Sequence, residues 1–409
     1  MNKINRNLSI QKCFVFSALL ASLFNSLNLS LFKIPINPFL YLAFFLGIVL
    51  AIKNFNDISR NRKDYNILFL FFIILLISVI FSKFEYNQEN IILIIINFLL
   101  IVCIYIFNNE LEYDYVYNTI IIFSTLVSLL SLVLGLINYD GAFIGNKLAG
   151  LYSNPNQGGP IVLFSLILLI YKLKKEKERK IIKIILICIQ LIFLYFNKTR
   201  SVYFAVILLS IIYIITKCKK NTIIILICIS FLSIPVIYIQ KNQLFSDSID
   251  INQYTKCEIA LNNLSTERYA IWKESLILIS KNNYIGYGNG NLNIAASTLL
   301  ENNSRIRVRN ITATHNIFLQ ILIDGGIIAL LIFFLFLFIL LKEVFKILRN
   351  NNLFSDEGLP STLALTALLL TQLDVGIINY LIITSFIFWS QSKLILNSKK
   401  NIKNQGGIL

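Results

Sequence analysis

One histidine occurs in the 409 residues, and it stands where a long polar segment gives way to an apolar run. This residue is His315, in the stretch THNIFLQILIDGG. An imidazole, with an ordinary pKa of about 6.5, suits a general base, and its ring N–H also suits a phosphate. A lone histidine at a helix start serves equally well as a hydrogen-bonded structural residue. The sequence leaves the catalytic, phosphate-binding and structural interpretations open.

Two arginines stand at other points where polar and apolar sequence meet. Arg200 lies in FNKTRSVYF, a very short turn between two apolar runs, and Arg268 begins the polar-apolar stretch RYAIWKESLILISK. A guanidinium group is a fork-shaped donor that suits a phosphate or a carboxylate. Ordinary anchoring to lipid headgroups is the structural alternative for each arginine. Arg200, Arg268 and His315 are the candidate catalytic residues.

Other polar side chains in the same regions are candidates for binding substrate. In AGLYSNPNQGGP the two asparagines either hydrogen-bond a sugar or form the turn that starts the next helix. In RIRVRN three arginines alternate, so on an extended chain they share one face. That face is either a rail for a polyanionic glycan or diphosphate, or a solvated loop surface. The candidate substrate-binding residues are Lys198, Asn154, Asn156, Arg305, Arg307, Arg309 and Asn316.

The sequence around these residues is that of a membrane protein. Hydrophobic residues make up 56% of the chain and charged residues 14%, whereas a soluble domain carries about 25% charge. Apolar runs recur that can cross a bilayer core of about 30 Å, and in lipid such runs form helices because every backbone polar group must be satisfied internally. We predict an all-α polytopic membrane protein with about 12 transmembrane helices. They lie near residues 11–31, 36–52, 66–82, 90–107, 118–137, 158–171, 182–196, 201–216, 222–239, 315–341, 360–375 and 378–396.

The basic residues predict the orientation of the chain. The net charge is +16, which in a membrane protein reflects the Lys and Arg of cytoplasmic loops, so no nucleic-acid partner is expected. Most Lys and Arg fall on one side when both termini are cytoplasmic, including those of KLKKEKERKIIK. On this topology residues 1–239 hold the first nine helices, residues 240–314 form one large extracytoplasmic loop, and residues 315–409 hold the last three helices and a cytoplasmic tail.

The large loop contains predicted local structure, so we expect the functional site to lie on the outer face. The stretch 267–281 predicts an amphipathic helix with Ile271, Trp272, Ser275, Leu276 and Ile279 on one stripe. The following YIGYGNGN predicts a tight glycine-rich turn. Its glycines fail as a dinucleotide-binding fingerprint, since no strand precedes them and no helix-opening glycine follows at the right spacing.

The order of these motifs resembles a known family. NPN before a span, KTRS between two spans, ERYAIWKESLILISKNNYIGYGNG in an outer loop and THNIFLQILIDGG follow one another, over roughly residues 140–340, as in the O-antigen ligase and polysaccharide polymerase superfamily. The resemblance implies the architecture of all-helical (GT-C-like) membrane glycosyltransferases. It also implies transfer or polymerisation of a glycan carried on undecaprenyl diphosphate, at the outer face of the bacterial cytoplasmic membrane and among its lipids. The acceptor would be a glycan, a lipid or a protein. The functional residues of the family map here onto Arg200, Arg268 and His315.

The resemblance further implies transfer without a metal. The first predicted outer loop, LFKIPIN, holds no carboxylate, in agreement with the metal-independent members of the superfamily, so we expect neither a metal nor a cofactor. Fixed guanidinium groups would stabilise the leaving diphosphate in place of the metal. Within the superfamily, the alternating loop arginines favour a polymerase over a ligase.

A transporter or flippase for lipid-linked glycan is the alternative function. Proton-coupled transporters usually carry acidic residues at mid-membrane, and many show internal repeats. Here only Asp324 and Asp374 lie within predicted apolar segments, and no repeat is evident. These features favour the enzyme.

Overall fold

The computed structural model describes residues 2–28, 38–53, 66–82, 88–107, 113–217, 268–300, 304, 306, 310–372 and 382–405. These residues are almost entirely helical, with one short β-hairpin. In chain order the elements are α1 (Asn2–Phe24), α2 (Pro38–Lys53), α3 (Asn66–Ile80), α4 (Gln88–Phe107), α5 (Asp114–Leu136), β1 (Phe143–Ile144), β2 (Lys147–Leu148), α6 (Pro155–Lys175), α7 (Lys180–Asn197), α8 (Arg200–Lys217), α9 (Arg268–Lys281), α10 (Leu292–Leu299), α11 (Ile317–Asn350), α12 (Gly358–Leu370) and α13 (Ile383–Gln405).

The helices confirm the all-α prediction and agree with a multi-pass membrane protein. Helices α5, α6, α7 and α11 are each long and apolar enough to cross a membrane, and six shorter apolar helices accompany them within the described residues. The number of spans, about 12, stays a prediction, as do the GT-C-like architecture and the three-part division of the chain. The predicted span at 222–239 lies outside the described residues.

The first predicted span extends too far. Hydropathy predicts this span at 11–31, but α1 ends at Phe24. The chain then turns and pairs with a distant segment, because the Asn28 N–H donates to the Leu151 carbonyl and Leu27 forms an antiparallel bridge with Tyr152. Long-range pairing of this kind leaves no trace in local hydropathy.

The β-hairpin is absent from the sequence prediction. Phe143 pairs with Leu148 and Ile144 with Lys147, and the turn between the strands has a positive φ of 61° at Gly145. Each strand is two residues long, so the alternation that predicts a strand has no room to appear.

Buried polar side chains connect α5, α6 and α7, the helices that precede and follow the hairpin in the chain. The Gln190 side chain of α7 has no exposed surface, and its Nε2 donates to Thr125 Oγ1 of α5 and to Ser165 Oγ of α6, both at 2.8 Å. Lipid-facing apolar residues supply little force between helices, so hydrogen bonds of this kind help to fix their pairing.

Helix α11 is broken at Gly326, where φ is 72° and ψ is −171°. The segment Ile327–Asn350 that follows is long enough to cross a bilayer core by itself. The Asp324 carbonyl, just before the break, accepts from Ser78 Oγ near the end of α3 at 2.5 Å. The predicted span at 315–341 therefore corresponds to a helix that is kinked just after Asp324.

The glycine-rich turn after α9 fills this break. The Tyr287 and Gly288 N–H groups donate to the carbonyls of residues 323 and 324, and the N–H of residue 327 donates to the Tyr284 carbonyl. A Cβ on Gly286 would lie 2.5 Å from the Gly326 nitrogen, so the two backbones touch directly. The prediction of a tight structural turn is confirmed.

We predict that Gly326→Ala destabilises the protein by roughly 2–4 kcal/mol. The new Cβ would meet the Ile285 carbonyl oxygen at 2.1 Å, in a backbone region that L residues rarely adopt. Gly141→Ala is the matched control, because Gly141 also has a positive φ but no atom within 4 Å of a Cβ. Chemical unfolding in detergent micelles measures both, and equal losses would contradict the close contact at Gly326.

Candidate active site

One buried asparagine holds together the end of the bundle that carries the hairpin. Asn197 Nδ2, at the end of α7, donates to the Leu148 carbonyl of β2 at 2.9 Å and to the Pro155 carbonyl of α6 at 3.1 Å. Thr199 Oγ1 donates to the same Pro155 carbonyl at 2.9 Å. The turn that leads to Arg200 is thus fixed to the strand that carries Lys147. We call this region, with Arg268 and His315, the hairpin end.

Three cationic side chains act on one another at the hairpin end. Burial, followed by the positive charges of Arg200 and Arg268, lowers the pKa of the Lys147 ammonium group below its ordinary value of 10.5. The shift requires both guanidinium groups to lie close enough to Lys147 for their charges to be felt. The structure therefore gathers Arg200 and Arg268, which are far apart in sequence, around a lysine that the sequence analysis did not place in the site.

Lysines at the opposite end of the bundle form ion pairs with carboxylates. Lys183 Nζ lies 2.7 Å from Glu176 Oε2, and Lys175 Nζ lies 2.6 Å from Asp356 Oδ1. The hydrogen bond from Lys183 lowers the pKa of the Glu176 carboxyl group, and the hydrogen bond from Lys175 does the same for Asp356. Carboxylates pair with the cations at that end, whereas at the hairpin end the charges of Arg200 and Arg268 act on Lys147.

Arg268 is connected to His315 through the first turns of α9. Arg268 begins the helix, and Trp272 follows one turn later on the same side. Trp272 Nε1 donates to the Thr314 carbonyl at 2.9 Å, so the tryptophan holds the residue that immediately precedes His315. Arg268 thus begins the helix that contacts the residue before His315, and the charges of Arg268 and Arg200 both act on Lys147.

The structure confirms a helix at this position, α9, but not the predicted amphipathic stripe. Ile271, Ser275 and Ile279 are buried as predicted, and Trp272 is partly buried, whereas Leu276 is 52% exposed. Leu278 and Glu274 are buried instead. Glu274 takes an interior position because its Oε2 accepts the backbone N–H of Ile306 at 2.9 Å, a long-range hydrogen bond that periodicity does not reveal.

His315 immediately precedes the cap of α11 and is partly buried, with a left-handed φ of 53°. Asn316 is the N-cap: its Oδ1 accepts from the N–H groups of Phe318 at 3.0 Å and Leu319 at 3.1 Å. Asn316 is one of the predicted substrate-binding residues, and in the structure its side-chain oxygen caps the helix.

The remaining candidates divide into capping residues and residues outside the described structure. Asn154 is exposed and caps α6, since its Oδ1 accepts the Asn156 N–H at 2.9 Å and Pro155 occupies the first helical turn. Lys198 ends α7 in a left-handed conformation beside Arg200. The loop arginines Arg305, Arg307 and Arg309 lie outside the described residues, as does Asp374.

The part of the chain that the structure describes contains no group of three His, Cys, Asp or Glu side chains placed to hold a metal ion. Metal-independent transfer stays a prediction.

A known protein family and a known protein are similar to this chain. Residues 184–334 match the family described as O-Antigen ligase, a range that includes Arg200, Arg268 and His315 but not Lys147. The ComP-specific O-oligosaccharyltransferase of Acinetobacter baylyi (strain ATCC 33305 / BD413 / ADP1) is 23% identical over 328 residues, which are 75% of this chain and 58% of that protein. The chain thus spans less than two thirds of the relative's length.

These matches support a glycosyltransferase-type membrane enzyme. More specifically, they confirm the resemblance to the O-antigen ligase superfamily that the motifs predicted.

We predict that Lys147→Gln raises the thermal unfolding midpoint of the protein free of ligand. The pKa of Lys147 is lower in the folded protein than its ordinary 10.5, so the protonated lysine opposes folding at neutral pH. Between the lowered pKa and 10.5 the unfolded chain binds more protons, and the stability of the wild type must rise with pH in that window. The variant should lack this rise.

Lys177→Gln is the matched control, because Lys177 is exposed in the loop after α6 at the opposite end. Thermal unfolding in detergent between pH 7 and pH 10.5 compares the three proteins. A lower midpoint for Lys147→Gln than for the wild type at pH 7 would show that Lys147 is held by favourable contacts and not by repulsion.

Proposed function

We propose that this protein is a membrane glycosyltransferase that moves an oligosaccharide from undecaprenyl diphosphate to an acceptor hydroxyl at the outer face of the bacterial cytoplasmic membrane. The observation that carries the proposal is the gathering of Lys147, Arg200 and Arg268 at the hairpin end, next to the segment that holds His315. A site that gathers three cationic side chains suits an anionic ligand. We further propose that the hairpin end is the outer end, which leaves both termini cytoplasmic.

The chemistry of the leaving group fits these cations. As the bond between the anomeric carbon and the diphosphate oxygen breaks, negative charge grows on the diphosphate. Fixed cations in a partly buried site stabilise that charge strongly, because little reorganisation is needed and water is scarce. A bound diphosphate would also relieve the repulsion that lowers the pKa of Lys147. The same groups therefore bind the donor and favour its cleavage.

The start of α11 supports a direct role for the His315 side chain. Helix N-termini often bind phosphate through their backbone N–H groups. Here Asn316 Oδ1 already accepts from the N–H groups of residues 318 and 319. The imidazole beside this capped end is then the group that meets the reactants, either as the base for the acceptor hydroxyl or as a donor to the diphosphate.

The break in α11 does not favour the transporter alternative. Transporters use helix breaks to offer backbone groups to substrates and ions. In this chain the groups near Gly326 are occupied: the carbonyls of residues 323 and 324 accept from Tyr287 and Gly288, and the N–H of residue 327 donates to Tyr284. The break therefore docks the glycine-rich turn through these backbone groups.

The acceptor is the least defined part of the proposal. The preference for a polymerase rested on Arg305, Arg307 and Arg309, which lie outside the described residues. The name of the Acinetobacter relative specifies O-linked oligosaccharide transfer. Among the glycan, lipid and protein acceptors we therefore favour a protein hydroxyl for this chain.

We predict that Arg268→Gln, Arg200→Gln and His315→Ala each lower the rate of transfer by about 100-fold, since each removes a group that acts on developing charge or on the transferred proton. The measurement uses purified protein in lipid nanodiscs with undecaprenyl-diphosphate-linked oligosaccharide and an acceptor peptide containing serine and threonine. Gel mobility and mass spectrometry detect the product.

Lys281→Gln is the matched control for the arginine variants. Lys281 ends the helix that Arg268 begins, is exposed, and donates to the Leu299 carbonyl at 2.7 Å. It should keep the rate of the wild type. Wild-type rates in all three site variants would refute the site, and turnover that ceases equally in Lys281→Gln would point to a general loss of basic charge.

We predict that a deletion strain loses glycan from its glycoproteins while any surface polysaccharide keeps its chain-length distribution. The reason is that a protein acceptor draws complete glycan from the lipid pool and takes no part in chain growth. Mass spectrometry of glycopeptides and gel analysis of the polysaccharide measure both. Loss of long chains with single repeat units left on their usual acceptor would identify a polymerase instead, and full-length chains retained on the lipid carrier would identify a ligase to a lipid acceptor.

A further inference from the structure

The backbone of His315 needs its neighbours to hold it in place. Its φ of 53° lies in the left-handed region, which residues other than glycine rarely adopt. Such a conformation persists only where the surrounding structure determines it. The residues on either side of His315 therefore govern where the imidazole can point.

Thr314, on one side, is held at every backbone polar group. It is fully buried; its carbonyl accepts from Trp272 Nε1, and its N–H donates to Gln320 Oε1, both at 2.9 Å. Its hydroxyl donates to the carbonyl of Asn316, the residue on the other side of His315, at 2.9 Å. The short segment 314–316 is thus closed on itself and anchored from two helices.

The amide of Gln320 can make its contact with Thr314 in one orientation only. A backbone N–H is a donor, so the Gln320 atom that faces Thr314 must be oxygen. The Gln320 nitrogen then faces Asp324, and it lies 2.9 Å from Oδ1 and 3.0 Å from Oδ2 of that carboxylate. Both Asp324 oxygens accept this nitrogen from one turn away, which holds the amide in the orientation that the Thr314 N–H requires.

Asp324 is in turn located by its surroundings. Its side chain is buried at 1% exposure, and its backbone carbonyl accepts from Ser78 Oγ of α3 at 2.5 Å and from the Gly288 N–H at 2.9 Å. The residue thus lies where α3, the glycine-rich turn and the break in α11 meet. A continuous set of hydrogen bonds leads from this junction to the segment that carries His315.

We propose that Gln320, oriented by Asp324, is a positioning residue for His315. The pair anchors Thr314 and so fixes the point at which the imidazole leaves the start of α11. Neither residue need touch the substrate. The inference rests on the proposed function and adds to it a buried pair that explains how a left-handed histidine is held for chemistry.

Two variants distinguish the hydrogen bonds of Gln320 and Asp324 from the space that their side chains fill. Gln320→Met keeps the length of the side chain but removes both the acceptor for Thr314 and the donor for Asp324. In the double variant Gln320→Glu with Asp324→Asn, the new carboxylate accepts from the Thr314 N–H and from the new amide. The hydrogen bonds are then restored with their direction reversed between the two side chains, at unchanged net charge.

We expect Gln320→Met to lower kcat of the transfer reaction by about 10- to 100-fold with KM for the lipid-linked donor changed less than about threefold, because misplacement of a reacting group by about 1 Å has effects of this size. The double variant should recover to within about threefold of the wild type. A kcat of Gln320→Met equal to that of the wild type, or a double variant as slow as Gln320→Met, would overturn the inference.

Hydrogen–deuterium exchange over residues 312–318, measured by mass spectrometry in detergent, provides a readout without turnover. The segment should exchange faster in Gln320→Met than in the wild type and the double variant. Where Gln320→Met does not fold, Asp324→Leu alone takes its place, since it removes both acceptors of the Gln320 amide. Unchanged exchange in the variant overturns the inference. If the wild type transfers no glycan, the proposed function fails, and the exchange data still decide the positioning role.

Discussion

Repulsion between like charges is the constraint that the hairpin end must satisfy. Lys147, Arg200 and Arg268 come from a strand, a helix start and a second helix start, and their mutual repulsion opposes bringing these elements together. Hydrogen bonds of neutral side chains hold the elements together against this repulsion. Asn197 fixes the strand to α6 at the end of α7, and Trp272 fixes α9 to the segment before α11. The fold thus gathers three cationic side chains at one end of the bundle.

A second constraint comes from the broken helix. Backbone groups freed by a break inside a membrane protein must find partners within the protein, since lipid supplies none. The glycine-rich turn supplies them, and only glycine can bring its backbone as close as Gly286 comes to Gly326. The contact that satisfies the break also ties α9 and the glycine-rich turn to α11. The same requirement therefore shapes both the membrane helix and the frame around His315.

The sequence predicted the membrane helices, the glycine-rich turn and the three residues Arg200, Arg268 and His315, because each has a local signature in hydropathy, glycine content or motif order. It did not predict Lys147 as part of the site, nor the interior position of Glu274. Both depend on contacts between residues distant in sequence, as the hairpin does through its attachment to Asn197. Local patterns also could not distinguish Asn154 and Asn316 as caps from sugar-binding amides.

Every residue of the candidate site lies at the end of an element or in a connection, and none in the middle of a membrane helix. Lys147 is in a two-residue strand, Arg200 and Arg268 each begin a helix, and His315 immediately precedes the cap of α11. Apolar residues that face lipid or each other can exchange with small cost as long as volume is kept. Caps, positive-φ positions and buried amides cannot, because each satisfies a backbone group that has no other partner. Selection for this site should therefore act on the connections, while the helices between them are free to change among Leu, Ile, Val and Phe.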